Sequence, residues 1–163
     1  MDDIGLTTLA RELQKDGEVA ADAFRLAEQR LNESTPSGWE GCAHHLARFF
    51  NIIEQMALRV AKTFENNIDD EKGWHAELIR RMTLEIPEVR PALWGEAVVQ
   101  PLRELRAFRH VFTHAYELTL DPDKLRLLLK YAGIIHGKLP ALIDKFVMDT
   151  ARMHGLSLGN FKA

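Results

Sequence analysis

The chain has 163 residues, of which 21 are Lys or Arg and 24 Asp or Glu, giving a formal net charge of −3, and 46% are hydrophobic. This length and mixture suit one globular domain with one core, spanning residues 1–163, and exclude a disordered chain. A negative balance excludes a protein that coats nucleic acid by bulk charge; any such role needs a local basic stripe. No run approaches the roughly 18 apolar residues of a membrane helix, and Met1-Asp2-Asp3 is acidic where a secretory leader is basic. The single cysteine, Cys42, allows no internal disulfide and no cysteine-based zinc site, and reads as a small buried residue. The expectation is a cytoplasmic protein with no membrane partner.

In chain order the pattern is helical throughout, with no sustained period-two alternation and no Asn-Gly or Asp-Gly hairpin turn. From Asp3 to Leu31, Leu6, Leu9, Leu13, Ala23, Ala27 and Leu31 recur at helical spacings. Gly17 interrupts them at a cost of about 1 kcal/mol relative to alanine, so one helix or two short ones both fit. Ser34-Thr35-Pro36-Ser37-Gly38 reads as a turn. A second long helix is expected from about Trp39 to Phe64, burying Leu46, Phe49, Phe50, Ile53, Met56, Ala57 and Val60. Glu65 to Gly73 reads as a polar loop, and Trp74 to Thr83 as a short helix stopped ahead of Pro87. Pro91 and Pro101 each suit a first helical turn, predicting helices over about Pro91–Val99 and Pro101–Leu118. Asp121-Pro122-Asp123 is a strong start signal for a last helix running towards Met153, with Gly133, Gly137 and Pro140 as places where it can bend. The sum is an all-α, up-and-down bundle of five to seven helices.

Chemistry concentrates in Leu105-Arg106-Ala107-Phe108-Arg109-His110-Val111-Phe112-Thr113-His114-Ala115-Tyr116. Wound as a regular helix, this segment puts Leu105, Phe108, Val111, Phe112 and Ala115 on an apolar face, while Arg103, Arg106, His110 and His114 fall within about 80° of one another opposite it. Arg109 stands apart from that basic stripe. It lies about 20° from Tyr116, on the flank of the apolar face, and about 140° from His114. A guanidinium there must find a partner, a ligand or water. Arg109 and His114 therefore converge on one ligand only if the helix end distorts or if Arg109 reaches a groove shared with another helix or subunit.

The run Arg109-His110-Val111-Phe112-Thr113-His114-Ala115-Tyr116 resembles the R-x4-H-x-Y motif of HepT-like toxins in the HEPN superfamily, and the chain from about Phe50 to Phe146 resembles the same family in its helices. The resemblance implies a helical bundle that dimerises with its motif helices side by side, and a metal-independent ribonuclease that needs no cofactor. It implies that His114 is the general acid or base at the ribose 2′-OH, in keeping with an imidazole's titration near neutrality. Arg109 would hold the scissile phosphate and stabilise its transition-state charge. His110 is a candidate auxiliary group, and Arg103 and Arg106 are candidates for the RNA backbone. Tyr116 would be the site at which a partner nucleotidyltransferase, the antitoxin, attaches AMP, whose bulk and negative charge would block the RNA path beside Arg109. The family often carries Asn directly after the motif arginine; here it is His110, so two imidazoles are available to share proton transfer.

Ordinary explanations stand beside these. Arg109 can be ion-paired to a neighbouring helix, His114 can complement a helix C-terminus, and Arg103 and Arg106 can be a solvated face. His110 and His114, four apart, would need a further ligand for a catalytic zinc site and two for a structural one. Trp39, Trp74 and Trp94 read as packing anchors at helix starts. The rival functions are an inactive HEPN-like module that binds RNA or serves as a scaffold for a nucleotidyltransferase, and an unrelated helical adaptor that binds peptides.

Overall fold

The computed structural model describes residues 1–65, 74–114 and 119–157, and only the backbone of Trp74 and His75. Helix α1 (Asp3–Asn32) starts where Asp2 Oδ1 accepts from the Gly5 N–H at 2.7 Å, an N-cap that satisfies an otherwise orphaned donor. It runs unbroken through Gly17. That glycine serves packing: a Cβ there would lie 3.1 Å from Ile143 Cδ1 on the last helix. Thr35 caps α2 (Pro36–Phe64) through the Gly38 N–H, with Pro36 at the first turn, so the helix begins three residues earlier than Trp39. All seven residues of its expected stripe are buried.

A link of three residues forces α1 and α2 into a hairpin. Arg30 near the end of α1 reaches the Ser37 carbonyl, and Arg59 late in α2 returns to Asp16 and Glu12, which fixes the pair as antiparallel. Helix α3 (Trp74–Arg81) is short, α4 spans Val99–His114 and α5 spans Pro122–His154. Phe24 stacks on His136 and Gly17 meets Ile143, so α5 runs antiparallel to α1; the Asp3 carboxylate accepts from the Ser157 N–H at 3.0 Å where α1 begins and α5 ends. The expected start of α5 is present, with Asp121 accepting from the Asp123 N–H. The helix continues through Gly133, Gly137 and Pro140 and stops at Gly155, whose φ of 63° is the left-handed conformation that ends helices. The fold is an all-α up-and-down bundle with five α-helices among the described residues.

The expected helix over Pro91–Val99 is absent. Residues 91–95 are irregular, Glu96–Val98 form a 3-10 turn, and α4 begins at Val99. The reason lies in the partners these residues already have. Ile86 and Arg90 exchange backbone hydrogen bonds across a tight turn with Glu88 at φ 64°, while the Leu93 and Trp94 N–H groups return to the Met82 carbonyl. Trp94 is buried in this loop, donating from Nε1 to the Ile79 carbonyl, and does not start a helix.

At the centre of the loop is Arg90, with no exposed surface. Its Nε donates to Glu65, Nη1 to the Leu84 and Pro91 carbonyls, and Nη2 to the Arg81 carbonyl, with Glu65 again 2.7 Å from Nη2. A buried guanidinium is tolerable only when its donors are spent in this way. Glu65, read from sequence as the start of a polar loop, is instead a buried carboxylate shared by Arg90 and Arg81. We predict that Arg90→Ala lowers unfolding free energy by about 3 kcal/mol or more, the usual cost of removing one partner of a buried pair. Urea denaturation reads this, and a loss under about 1 kcal/mol would show that the loop closes without it.

Cys42 is fully buried in the core, and burial pushes its thiol up to about 12. The thiolate is the reactive form. A thiol reagent near pH 8 should leave the folded protein unlabelled and modify Cys42 only as denaturant unfolds it; prompt labelling without denaturant would contradict the packing.

Candidate functional site

Helix α4 presents two different sides at its C-terminal half. On the inner flank, Arg109 faces α2, where Asn51 and Glu54 lie three residues apart on one face. Arg109 Nη1 donates to Asn51 Oδ1 at 2.8 Å and to Glu54 Oε2 at 3.0 Å, and its Cζ sits 4.8 Å from the centre of the Phe50 ring, within cation–π range. Glu54 is 5% exposed, so its carboxylate depends on such donors. Both hydrogen bonds of Arg109 to described residues leave from Nη1; Nε and Nη2 carry none. Arg109 thus has the salt-bridged partner its position demanded and keeps donors in hand.

On the outer side, His110 and His114 are exposed one turn apart, their ring centres 4.7 Å from each other. His114 Nδ1 lies 2.9 Å from the His110 carbonyl oxygen and 2.9 Å from Thr113 Oγ1. A carbonyl only accepts, so Nδ1 carries hydrogen. The neutral ring therefore keeps its lone pair on Nε2, a base free to meet a ligand. Thr113 in turn donates to the Arg109 carbonyl at 2.9 Å, so the short polar chain that orients the imidazole starts at the arginine.

Arg103 is exposed and Arg106 half-buried on the same side of α4 as the two histidines. Val111, expected on the apolar face, is 48% exposed, because that face leaves the core towards the helix end. There it borders a hollow of about 230 Å³ between α4 and α5, lined in part by Phe108, Leu120, Leu125 and Leu128. Tyr116 lies outside the described residues. The sequence reading missed Asn51 and Glu54. Their signal was available: Glu54 interrupts the apolar stripe of α2 between Phe50 and Ala57, where an acid needs a cation from another helix.

The remaining described histidines have structural neighbours. His44 and His45 meet edge-on, His136 stacks on Phe24, and His154 donates to the Val89 carbonyl at 2.9 Å. Among the described residues no three His, Cys, Asp or Glu side chains gather as a metal site, and no helix is long and apolar enough to cross a membrane.

An up-and-down bundle in which Arg109 and His114 stand at the end of the helix before the last, among the described residues, agrees with the resemblance read from the motif. A family model described as "HepT-like protein" matches residues 41–150, from the first third of α2 to the last turns of α5. The chain belongs to the HepT-like family, and so to the HEPN-type toxins and related modules. Helix α1 lies outside the matched region. Comparison with curated proteins and with solved structures gives no match.

If Arg109 and Glu54 hold α4 on α2, their contributions are coupled. A double-mutant cycle with Arg109→Ala and Glu54→Ala should give an interaction energy of about 1–2 kcal/mol in thermal or urea unfolding. Additivity within about 0.3 kcal/mol would show that the pair does not act as a unit.

Proposed function

We propose that this protein is the toxin of a toxin–antitoxin pair, a metal-independent endoribonuclease that works as a homodimer in the cytoplasm. The observation that carries the reading is the state of α4 in a HepT-like chain: among the described residues, His114 presents an unpartnered Nε2 at the surface, oriented through Nδ1, and Arg109 on the other flank keeps Nε and Nη2 unspent.

In the proposed reaction His114 Nε2 takes the proton of a ribose 2′-OH, and that oxygen attacks the adjacent phosphorus. The bond from phosphorus to the 5′-oxygen breaks, and the departing oxygen takes a proton from a second imidazole, the auxiliary role proposed for His110. The products are a 2′,3′-cyclic phosphate and a 5′-hydroxyl. Arg109 offers Nε and Nη2 to the non-bridging oxygens, where charge grows as phosphorus becomes pentacoordinate. Arg109 and His114 leave α4 in directions about 140° apart, so a cleft shared by two copies is the arrangement in which both reach one phosphate. The partner is proposed to be a minimal nucleotidyltransferase that silences the toxin by transferring AMP to the Tyr116 hydroxyl.

The test is induction of the protein alone in cells, with total RNA examined, for the parent and for Arg109→Ala, His114→Ala and Tyr116→Phe. The parent should arrest growth and fragment RNA. The alanine variants should do neither while remaining folded, with purified activity falling at least about 100-fold, as expected when a general acid–base group or a donor to the transition-state charge is removed. Cleavage should persist in excess EDTA. Tyr116→Phe should stay toxic when the partner enzyme is co-expressed. Intact RNA and normal growth with the parent would favour the scaffold reading, and undiminished cleavage by His114→Ala would overturn the mechanism.

A further inference from the structure

Between α3 and α4 lies an open cleft of about 480 Å³, lined by Ala76, Glu77, Ile79, Arg80, Arg103 and Arg106. Its walls carry three guanidinium groups and one carboxylate. That carboxylate is already taken, because Glu77 accepts from Arg80 Nε at 3.2 Å and pairs with its Nη2 at 2.7 Å. Arg103 and Arg106 make no ion pair with any described residue. Arg25, Arg30, Arg59, Arg126 and Arg152 behave differently, each being matched to an acid. In a chain of net charge −3, two unmatched guanidiniums facing a third across a groove are a local reversal of sign.

We propose that this α3–α4 cleft is a second phosphate site, which holds the backbone of single-stranded RNA upstream or downstream of the bond to be cut. The inference rests on the ribonuclease reading for the place of the scissile bond and adds where the rest of the strand runs. On α4, Arg106 and Arg103 lie eight and eleven residues before His114, about 12 and 16 Å along the axis and on the same side of the helix. Roughly two or three nucleotides of an extended strand span that distance. Arg103 and Arg106 are three apart, neighbours on the helix surface, and form one wall of the groove. Arg80 forms the other from α3, a contribution that the α4 spacing could not disclose. Planar guanidiniums offer paired N–H groups that match phosphate oxygens. Backbone contacts of this kind carry no base preference, so the site sets the register of the strand and not its sequence.

Binding can be measured apart from cleavage. The probe is a fluorescein-labelled twelve-nucleotide polyuridine, titrated by anisotropy with the full chain carrying His114→Ala, over a series of salt concentrations. Arg103→Gln and Arg106→Gln added together should weaken binding roughly 3- to 30-fold at low salt, as two exposed ion pairs do. They should also flatten the slope of log affinity against log salt by about 1.4, the value for two phosphate contacts on a single strand. Arg80→Gln should weaken binding in the same sense, and circular dichroism should show all these proteins folded. Unchanged affinity and slope in the double variant, or no binding by the His114→Ala protein at all, would overturn the proposal. Binding that depends on Arg103 and Arg106 in a protein whose parent cuts no RNA would sustain the cleft and overturn the nuclease reading instead.

Discussion

Arg90 has no exposed surface, and a charge so placed exists only because its surroundings complete it. The backbone between α3 and α4 is irregular, which leaves carbonyls at Leu84 and Pro91 in want of donors, while that of Arg81 already accepts from the Leu84 N–H. The guanidinium supplies them, and Glu65 at the end of α2 supplies its countercharge. The same loop is tied to the end of α5 by His154 at the Val89 carbonyl. Three helix ends are thereby fastened to one side chain and its turn. What this determines is where α4 may begin. A helix advances 100° per residue, so its first residue sets the bearing of every later one. With the start at Val99, Arg109 points to α2 and His110 and His114 point outward.

The two sides of α4 divide the electrostatic work. The inner arginine stands in a half-dry setting, against a phenyl ring and beside a buried carboxylate, where its charge is poorly screened and strongly felt. The outer imidazoles, His110 and His114, are exposed to water. Thr113 bridges the two by bonding both the Arg109 carbonyl and His114 Nδ1. Along the same outer side, Arg106 and Arg103 extend the basic stripe of α4 towards α3.

How much of this could be read from sequence depended on the range of the interaction. The long helices α1, α2 and α5 were legible because each carries its own periodic apolar stripe and, at Asp121-Pro122, its own start signal. Gly17 left two readings open; packing against Ile143 decides between them in favour of one helix. The segment from Pro91 to Val99 was misread because proline at a first turn is a local signal, whereas the bonds from Leu93 and Trp94 to Met82 and from Arg90 to Glu65 are not. Arg109 was singled out as needing a partner, yet Asn51 and Glu54 lie 58 and 55 residues away in the chain. The basic stripe on α4 followed from helix geometry, while Arg80 required knowledge of which helix lies alongside. Tyr116, prominent in the motif, falls outside the described residues.

The bond between Asp3 and Ser157 joins the first turn of α1 to the residues just past α5. The bundle is in this sense a closed ring of helices, and the order in which translation delivers them is incidental to their packing. A circularly permuted gene, opened in the Glu33–Thr35 link and sealed by a short linker between those two ends, would retain the α1–α5 contacts and convert the α1–α2 hairpin from a covalent neighbour into a docked one. In that rearranged chain α2 to α5, which span the family-matched region, would emerge from the ribosome first, and α1 would arrive last to cover them.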